Sequence, residues 1–121
     1  MKIKTIEENN IKIAIVNSKE VVIDSVQSAL DFIATINYET GSNRIILNKS
    51  AICGDFFDLS TRLAGEILQK FITYHIKIAI VGDFSTYTSK SLKAFIYECN
   101  KGRDLFFLPD EKQAIEKLSI N

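Results

Sequence analysis

Short β-branched runs alternate along this chain with longer stretches of helical period, and this alternation is what most constrains the fold. The runs Arg44–Asn48, Ile76–Val81 and Leu105–Leu108 are apolar at successive positions, as in strands whose two faces are both covered. Between them, apolar residues recur three and four positions apart, which is the pattern of an amphipathic helix. Connections of helical length make consecutive strands parallel, so the sequence predicts an α/β fold.

The amino-terminal segment has a different pattern, because two alternating runs are separated only by Asn9-Asn10. Asparagine tolerates the left-handed backbone of a tight turn, so these runs predict an antiparallel hairpin. The whole order is then ββαβαβαβα. We expect one domain over residues 1–121, with a single mixed, mostly parallel five-stranded sheet and four helices. The hexapeptide Ile11–Val16 recurs at Ile76–Val81, which we attribute to the few residue types that buried strands use.

Side chains that cap helices predict where the first two helices begin. Asp24 is placed to cap the first helix, with Gln27 as its capping-box partner, and this helix runs to about Tyr38. Asp58 or Ser60 can cap the second helix, which ends near Tyr74.

The third helix carries an apolar stripe that ends at Cys99, and Gly102 after it predicts a left-handed residue that closes the helix. The fourth helix follows Pro109, with Asp110 and Gln113 as a capping box.

The charge balance and the lengths of the apolar runs argue against nucleic acid and membrane as binding partners. The chain has 15 Lys and Arg against 15 Asp and Glu, whereas a nucleic-acid surface needs a basic field. No apolar run has the length of a membrane helix or a signal peptide. We therefore predict a cytoplasmic protein without nucleic-acid or membrane contacts, in which Cys53 and Cys99 pack as small hydrophobic residues.

Several segments resemble a known fold. Phe56–Ser60 followed by the helix from Thr61 to Phe71, between the strands Arg44–Asn48 and Lys77–Val81, is similar to the STAS domain of bacterial anti-sigma-factor antagonists. Phe56–Leu59, Ala64–Phe71 and Gly82–Ser85 also resemble a small bacterial family classed as a domain of unknown function. The resemblance implies a non-enzymatic regulatory module.

In the STAS family, an Asp-Ser-Ser-Gly motif begins the equivalent helix, and a partner kinase phosphorylates its second serine. Asp58 matches the aspartate and Ser60 matches that serine, whereas Leu59 and Thr61 differ from the motif. The resemblance implies that Asp58, Ser60 and Thr61 form a partner-binding or switch site. Helix capping is the alternative role for these three residues.

A second candidate site is the polar loop Gly82–Ser91, which leaves the carboxyl end of a central strand. Open α/β sheets bind ligands at that edge, and free N–H groups there receive anions. The candidate ligand-binding residues are Asp83, Ser85, Tyr87, Thr88, Ser89, Lys90 and Arg103. The loop lacks a phosphate-binding glycine pattern, so an ordinary hydroxyl-rich turn is the alternative.

Residues for catalysis are sparse. His75 is the one histidine and follows a helix, where an imidazolium complements the helix dipole. Glu7 and Glu8 are neighbours on a strand and point to opposite faces. We therefore expect no catalytic residues, metal or cofactor, and a partner that is another protein or a second copy of this chain. The alternative is an enzyme or binding domain that takes a small anionic ligand at Gly82–Ser91.

Overall fold

The computed structural model describes residues 1–120 and has the predicted α/β architecture, with one mixed five-stranded sheet and four helices. The strands are β1 (Lys2–Glu8), β2 (Ile11–Asn17), β3 (Arg44–Asn48), β4 (Lys77–Val81) and β5 (Leu105–Leu108). The helices are α1 (Val26–Thr40), α2 (Leu63–Thr73), α3 (Lys90–Lys101) and α4 (Glu111–Leu118).

The strands lie in the sheet in the order of the chain, β1-β2-β3-β4-β5. β1 pairs antiparallel with β2, and the three pairings from β2 to β5 are parallel. Register aligns Ala14, Ile45, Ile78 and Leu105 in one row across the sheet. Four strands therefore end at the same edge of the sheet, which we call the carboxyl edge.

Each face of the sheet has its own hydrophobic core. On one face, α1, α2 and α3 pack over a large cluster that includes Ile36, Ile67 and Leu92. On the other face, α4 packs over a smaller cluster through Ala114 and Leu118. Because right-handed crossovers that advance in one direction keep their helices on one side, the sequential strand order explains why three helices share a face.

The hairpin is formed as predicted. Asn9 and Asn10 have φ values of 54° and 66°, the left-handed conformations of a two-residue turn. Cys53 and Cys99 are free, half-buried thiols that pack against the larger core, as predicted. Within residues 1–120, no helix has the length and apolar content needed to cross a membrane.

The first helix begins one residue later than predicted. Ser25, and not Asp24, is the N-cap, and its hydroxyl accepts a hydrogen bond from the Ser28 N–H. The capping box is completed by the Ser28 side chain and does not use Gln27, whose amide donates to Asp31. The serine pair satisfies the N–H groups of Ser28 and Ser25, whereas the expected Asp-Gln pair would have satisfied those of Gln27 and Asp24, one residue earlier.

The start of α2 and the end of α3 also differ from the prediction. Arg62, with φ of 65°, precedes α2 without a side-chain cap, because Asp58 caps a separate 3-10 turn, Leu59–Thr61. Gly102 is extended (φ −83°) and not left-handed, and its N–H bonds to the Cys99 carbonyl. Asp110 caps α4 as predicted, accepting from the backbone N–H of Gln113 at 2.8 Å.

Candidate functional site

The two predicted sites lie side by side at the carboxyl edge. The turn Leu59–Thr61 follows Phe57, and the loop 82–89 follows β4. Phe57 stacks on Tyr87 of that loop, with ring centroids 5.2 Å apart and planes 16° apart. The ring centroid of Phe57 also lies 6.1 Å from that of Phe84, so two aromatic contacts join the segments.

Lys49 crosses this edge immediately after β3. Its ammonium group donates a hydrogen bond to the Asp83 carbonyl oxygen at 2.7 Å. The stem of Lys49 runs directly over Gly82, where a Cβ atom would lie 2.6 Å from the Lys49 Cβ. Gly82 is therefore required by the close approach of a side chain from the neighbouring strand end.

Three aromatic rings surround the Lys49 ammonium group. Its nitrogen lies 4.6 Å from the ring centroid of Tyr87, 5.4 Å from Phe84 and 5.8 Å from Phe57. All three distances are within the range of a cation–π interaction. Beside them is an open groove of about 550 Å³, whose walls include Asn48 and Gly54.

Asp58 and Ser60 form a compact turn. The Asp58 carboxylate accepts from the Ser60 hydroxyl at 2.7 Å and from the Ser60 N–H at 3.0 Å. The hydroxyl bond, followed by the N–H bond, lowers the pKa of Asp58 below its ordinary value. Both residues are exposed, so the Ser60 hydroxyl is open to solvent beside an anionic carboxylate.

The loop after β4 repeats this geometry. The Asp83 carboxylate accepts from the Ser85 hydroxyl at 2.6 Å and from the Ser85 N–H at 2.9 Å. These bonds, in that order, lower the pKa of Asp83, with a smaller contribution from the charge of Lys49. Two Asp-x-Ser turns, each holding a carboxylate in its anionic form, therefore stand at the carboxyl edge.

The other predicted residues have local roles or lie on the surface. The Thr61 hydroxyl donates toward the Asp55 and Asp58 carbonyl oxygens, each at 2.8 Å, and so closes the 3-10 turn. Ser89 is the N-cap of α3. Thr88 and Lys90 are exposed beside it.

Arg103 lies at the opposite edge of the sheet, so its expected convergence with the loop 82–91 is wrong. β5 is parallel to β4 and begins beside Ile78. A residue that precedes β5 must therefore lie where β4 starts. The Arg103 carbonyl accepts from the Lys77 ammonium group at 2.6 Å, at that starting end.

Sequence reasoning missed Lys49 and Asn48. Asn48 bonds with both the N–H and the carbonyl of Ser18, at 2.8 and 2.7 Å, and so ties β3 to β2 at the edge. Their position could have indicated them, because Asn48 and Lys49 lie at the carboxyl end of a parallel strand, where α/β proteins bind ligands. Phe57 ends a short 3-10 helix, Gly54–Phe57, which is too short for a periodic pattern to predict its neighbours.

His75 lies at the end of α2, as predicted, in a left-handed conformation with φ of 57°. Its N–H bonds to the Ile72 carbonyl, and the next N–H, of Ile76, bonds to the Phe71 carbonyl. This is the hydrogen-bond pattern of a Schellman motif, with His75 where glycine is usual. Among residues 1–120, no three His, Cys, Asp or Glu side chains are grouped for metal binding.

A comparison with family models finds a match to DUF4180, described as a domain of unknown function, over residues 8–118. The chain belongs to this family. No curated protein and no solved structure matches it. The DUF4180 match spans β2 to α4 and therefore contains every carboxyl-edge residue described above, whereas it takes in only the last residue of β1.

Proposed function

We propose that this DUF4180 domain is a non-enzymatic, STAS-like regulatory module that binds another protein through its carboxyl edge. The observation that carries the proposal is the exposed Asp58–Ser60 turn beside the stacked rings of Phe57 and Tyr87. Tyrosine is enriched in protein interfaces, and Tyr87 is partly exposed here, whereas Phe57 is buried and supports it. In this proposal, the turn and the loop 82–89 form one docking surface.

Phosphorylation of Ser60 controls this surface in the proposal. A kinase transfers the terminal phosphoryl group of a nucleoside triphosphate to Ser60 Oγ; the Oγ–P bond forms, the nucleoside diphosphate leaves, and the hydroxyl proton passes to solvent. The modified side chain can no longer donate to Asp58 and carries about two negative charges next to that carboxylate. Like-charge repulsion opens the turn, and a partner that fits the closed turn is released.

The test compares the proteins that wild type, Ser60→Ala and Ser60→Asp capture from native lysate. We expect Ser60→Asp to lose a protein that wild type and Ser60→Ala retain, because the added carboxylate repels Asp58. Thr35→Asp, an exposed position on α1, adds the same charge elsewhere and should retain it. Phosphosite mapping after incubation with nucleotide and lysate should find the modification on Ser60. Identical capture by all four proteins would contradict the proposal.

Binding of a small anionic ligand at Gly82–Ser91 is the alternative. The Lys49 ammonium group beside the groove favours it, whereas the anionic Asp83 carboxylate opposes it. A thermal-shift screen against nucleotides and phosphorylated metabolites separates the two proposals. A ligand of the native state raises the melting temperature, and a rise that disappears in Lys49→Met would favour the anion site.

A further inference from the structure

β1 is an edge strand of seven residues whose outer side is open. Its turn has two residues, so Glu8 and Ile11 form a hydrogen-bonded pair, and bonded pairs then recur at every second residue. Ile3, Thr5 and Glu7 consequently turn their N–H and C=O groups away from β2. Within residues 1–120, these outward groups have no hydrogen-bond partner outside the hairpin.

The opposite edge of the sheet is covered. β5 has four residues, and α3 packs against it. The Asn100 amide on α3 donates to the Phe107 carbonyl at 3.1 Å and accepts from the Phe107 N–H at 2.7 Å. The outward backbone groups of Phe107 on the short edge strand therefore have side-chain partners, whereas those of Ile3, Thr5 and Glu7 on the longer edge strand are free in the described part of the chain.

The charges of β1 are divided along its length, with Lys2 and Lys4 in the first half and Glu7 and Glu8 in the second. A second copy that pairs parallel would place like charges together. A second copy that pairs antiparallel places lysines beside glutamates. Lysines on an edge strand usually prevent association, but this division makes the edge complementary to itself.

We propose that two copies of this chain pair antiparallel through β1, with Thr5 opposite Thr5 on a two-fold axis perpendicular to the sheet. The outward groups of Ile3, Thr5 and Glu7 then form about six hydrogen bonds across the interface. One continuous sheet results. The two carboxyl edges point in opposite directions and stay open, so this proposal is independent of the function proposed for them.

In the proposed dimer register, Glu7 and Glu8 have different neighbours on the second copy. Glu8 lies on the same sheet face as Lys2, on the side of α4, and faces Lys2 of the second copy. Glu7 is on the other face, opposite Ile3. Glu7→Lys is therefore a matched control for Glu8→Lys, with the same change in net charge one residue away.

Sedimentation velocity over a concentration series tests this pairing. We expect wild type to dimerise, and Glu8→Lys and Lys2→Glu each to weaken the dimer roughly tenfold, because two opposite-charge pairs become like-charge pairs. Glu7→Lys should weaken it by less than about threefold. An equimolar mixture of Glu8→Lys and Lys2→Glu should recover the wild-type affinity. Wild type that stays monomeric at all concentrations, or a mixture no tighter than its components, would overturn the proposal.

A backbone test does not depend on charge. The Thr5 N–H faces outward, so Thr5→Pro leaves the β1–β2 bonds in place but blocks the interface. Thr5→Pro should melt near the wild-type temperature and remain monomeric. In wild type, hydrogen exchange at the Thr5 and Glu7 amides should slow as protein concentration rises. Dimerisation of Thr5→Pro, or exchange independent of concentration, would show that another surface is used.

Discussion

Gly82→Ala tests the packing of the carboxyl edge. The added Cβ would lie 2.6 Å from the Lys49 Cβ, 3.0 Å from its Cδ and 3.3 Å from its Cγ. The nearest atom is fixed to the Lys49 backbone, so a change of rotamer cannot relieve the contact. Overpacking of this kind costs about 1–3 kcal/mol. The lower unfolded-chain entropy of alanine offsets about 0.4–1 kcal/mol of that cost.

We therefore expect the free energy of unfolding of Gly82→Ala to fall by about 1–2 kcal/mol. Urea unfolding followed by circular dichroism should show a lower midpoint with an unchanged slope. Gly54→Ala is the matched control, because nothing lies within 4 Å of its added Cβ. That variant should equal wild type or exceed its stability slightly.

A double-mutant cycle identifies the clashing atom. Lys49→Ala keeps the Cβ, so adding it to Gly82→Ala should not restore stability, whereas Lys49→Gly removes the atom and should recover about 1 kcal/mol of coupling energy. The refuting result is a Gly82→Ala protein as stable as Gly54→Ala. It would mean that the β3 and β4 strand ends separate freely, and that Lys49 is not fixed over the aromatic rings.

Three further predictions concern hydrogen bonds and backbone conformation. Asn100→Ala should lower stability by about 1–3 kcal/mol, because the buried N–H and C=O of Phe107 lose their partners; a neutral result in urea unfolding would contradict the edge-capping role. Ser85→Ala should raise the pKa of Asp83 toward its ordinary 3.8, since the Ser85 hydroxyl is the main cause of the lowering. In wild type, the pKa of Asp83 is lower in the folded than in the unfolded protein, so the turn stabilises the folded state above pH 3.8 and this stabilisation is lost as the pH falls through the folded-state pKa. NMR titrations of the Asp83 carboxyl carbon that coincide in wild type and Ser85→Ala would refute the assignment. His75→Gly should raise the melting temperature, with a gain of about 0.5–1 kcal/mol, because glycine adopts φ of 57° without strain; His75→Ala, which keeps a Cβ, should not.

Local signals in the sequence predicted the elements of the fold. Asn9-Asn10 indicates the hairpin because few residue pairs accept two successive left-handed conformations. The cap at Asp110 was likewise predictable, because it depends on one side chain and an N–H three residues away. The cap of α1 was misplaced by one residue, since Asp24 and Ser25 are both good N-caps and the reciprocal bonds form between Ser25 and Ser28.

The site was only partly predictable. Asp58 and Ser60 were predicted from the resemblance to the STAS motif, and Asp83 and Ser85 from the polar loop at a strand end; the structure places both turns at the carboxyl edge. Lys49 was missed because its partners are far away in the chain. Its position over Gly82 depends on the parallel alignment of two strand ends, which no local pattern encodes.

The repeated hexapeptide separates what the sequence determined from what the tertiary structure decided. Ile11–Val16 and Ile76–Val81 are identical; the first supplies most of β2 and the second contains all of β4, as their composition predicts. Yet Ile13 and Ile15 pack beneath α4, whereas Ile78 and Ile80 pack beneath α1–α3. Side chains alternate along a strand with a period of two, and both faces here are apolar, so the residues favour neither orientation. Pairing of Ala14 with Ile45, and of Ile45 with Ile78, fixes the choice, and that register exists only once the strands and their crossover helices have come together.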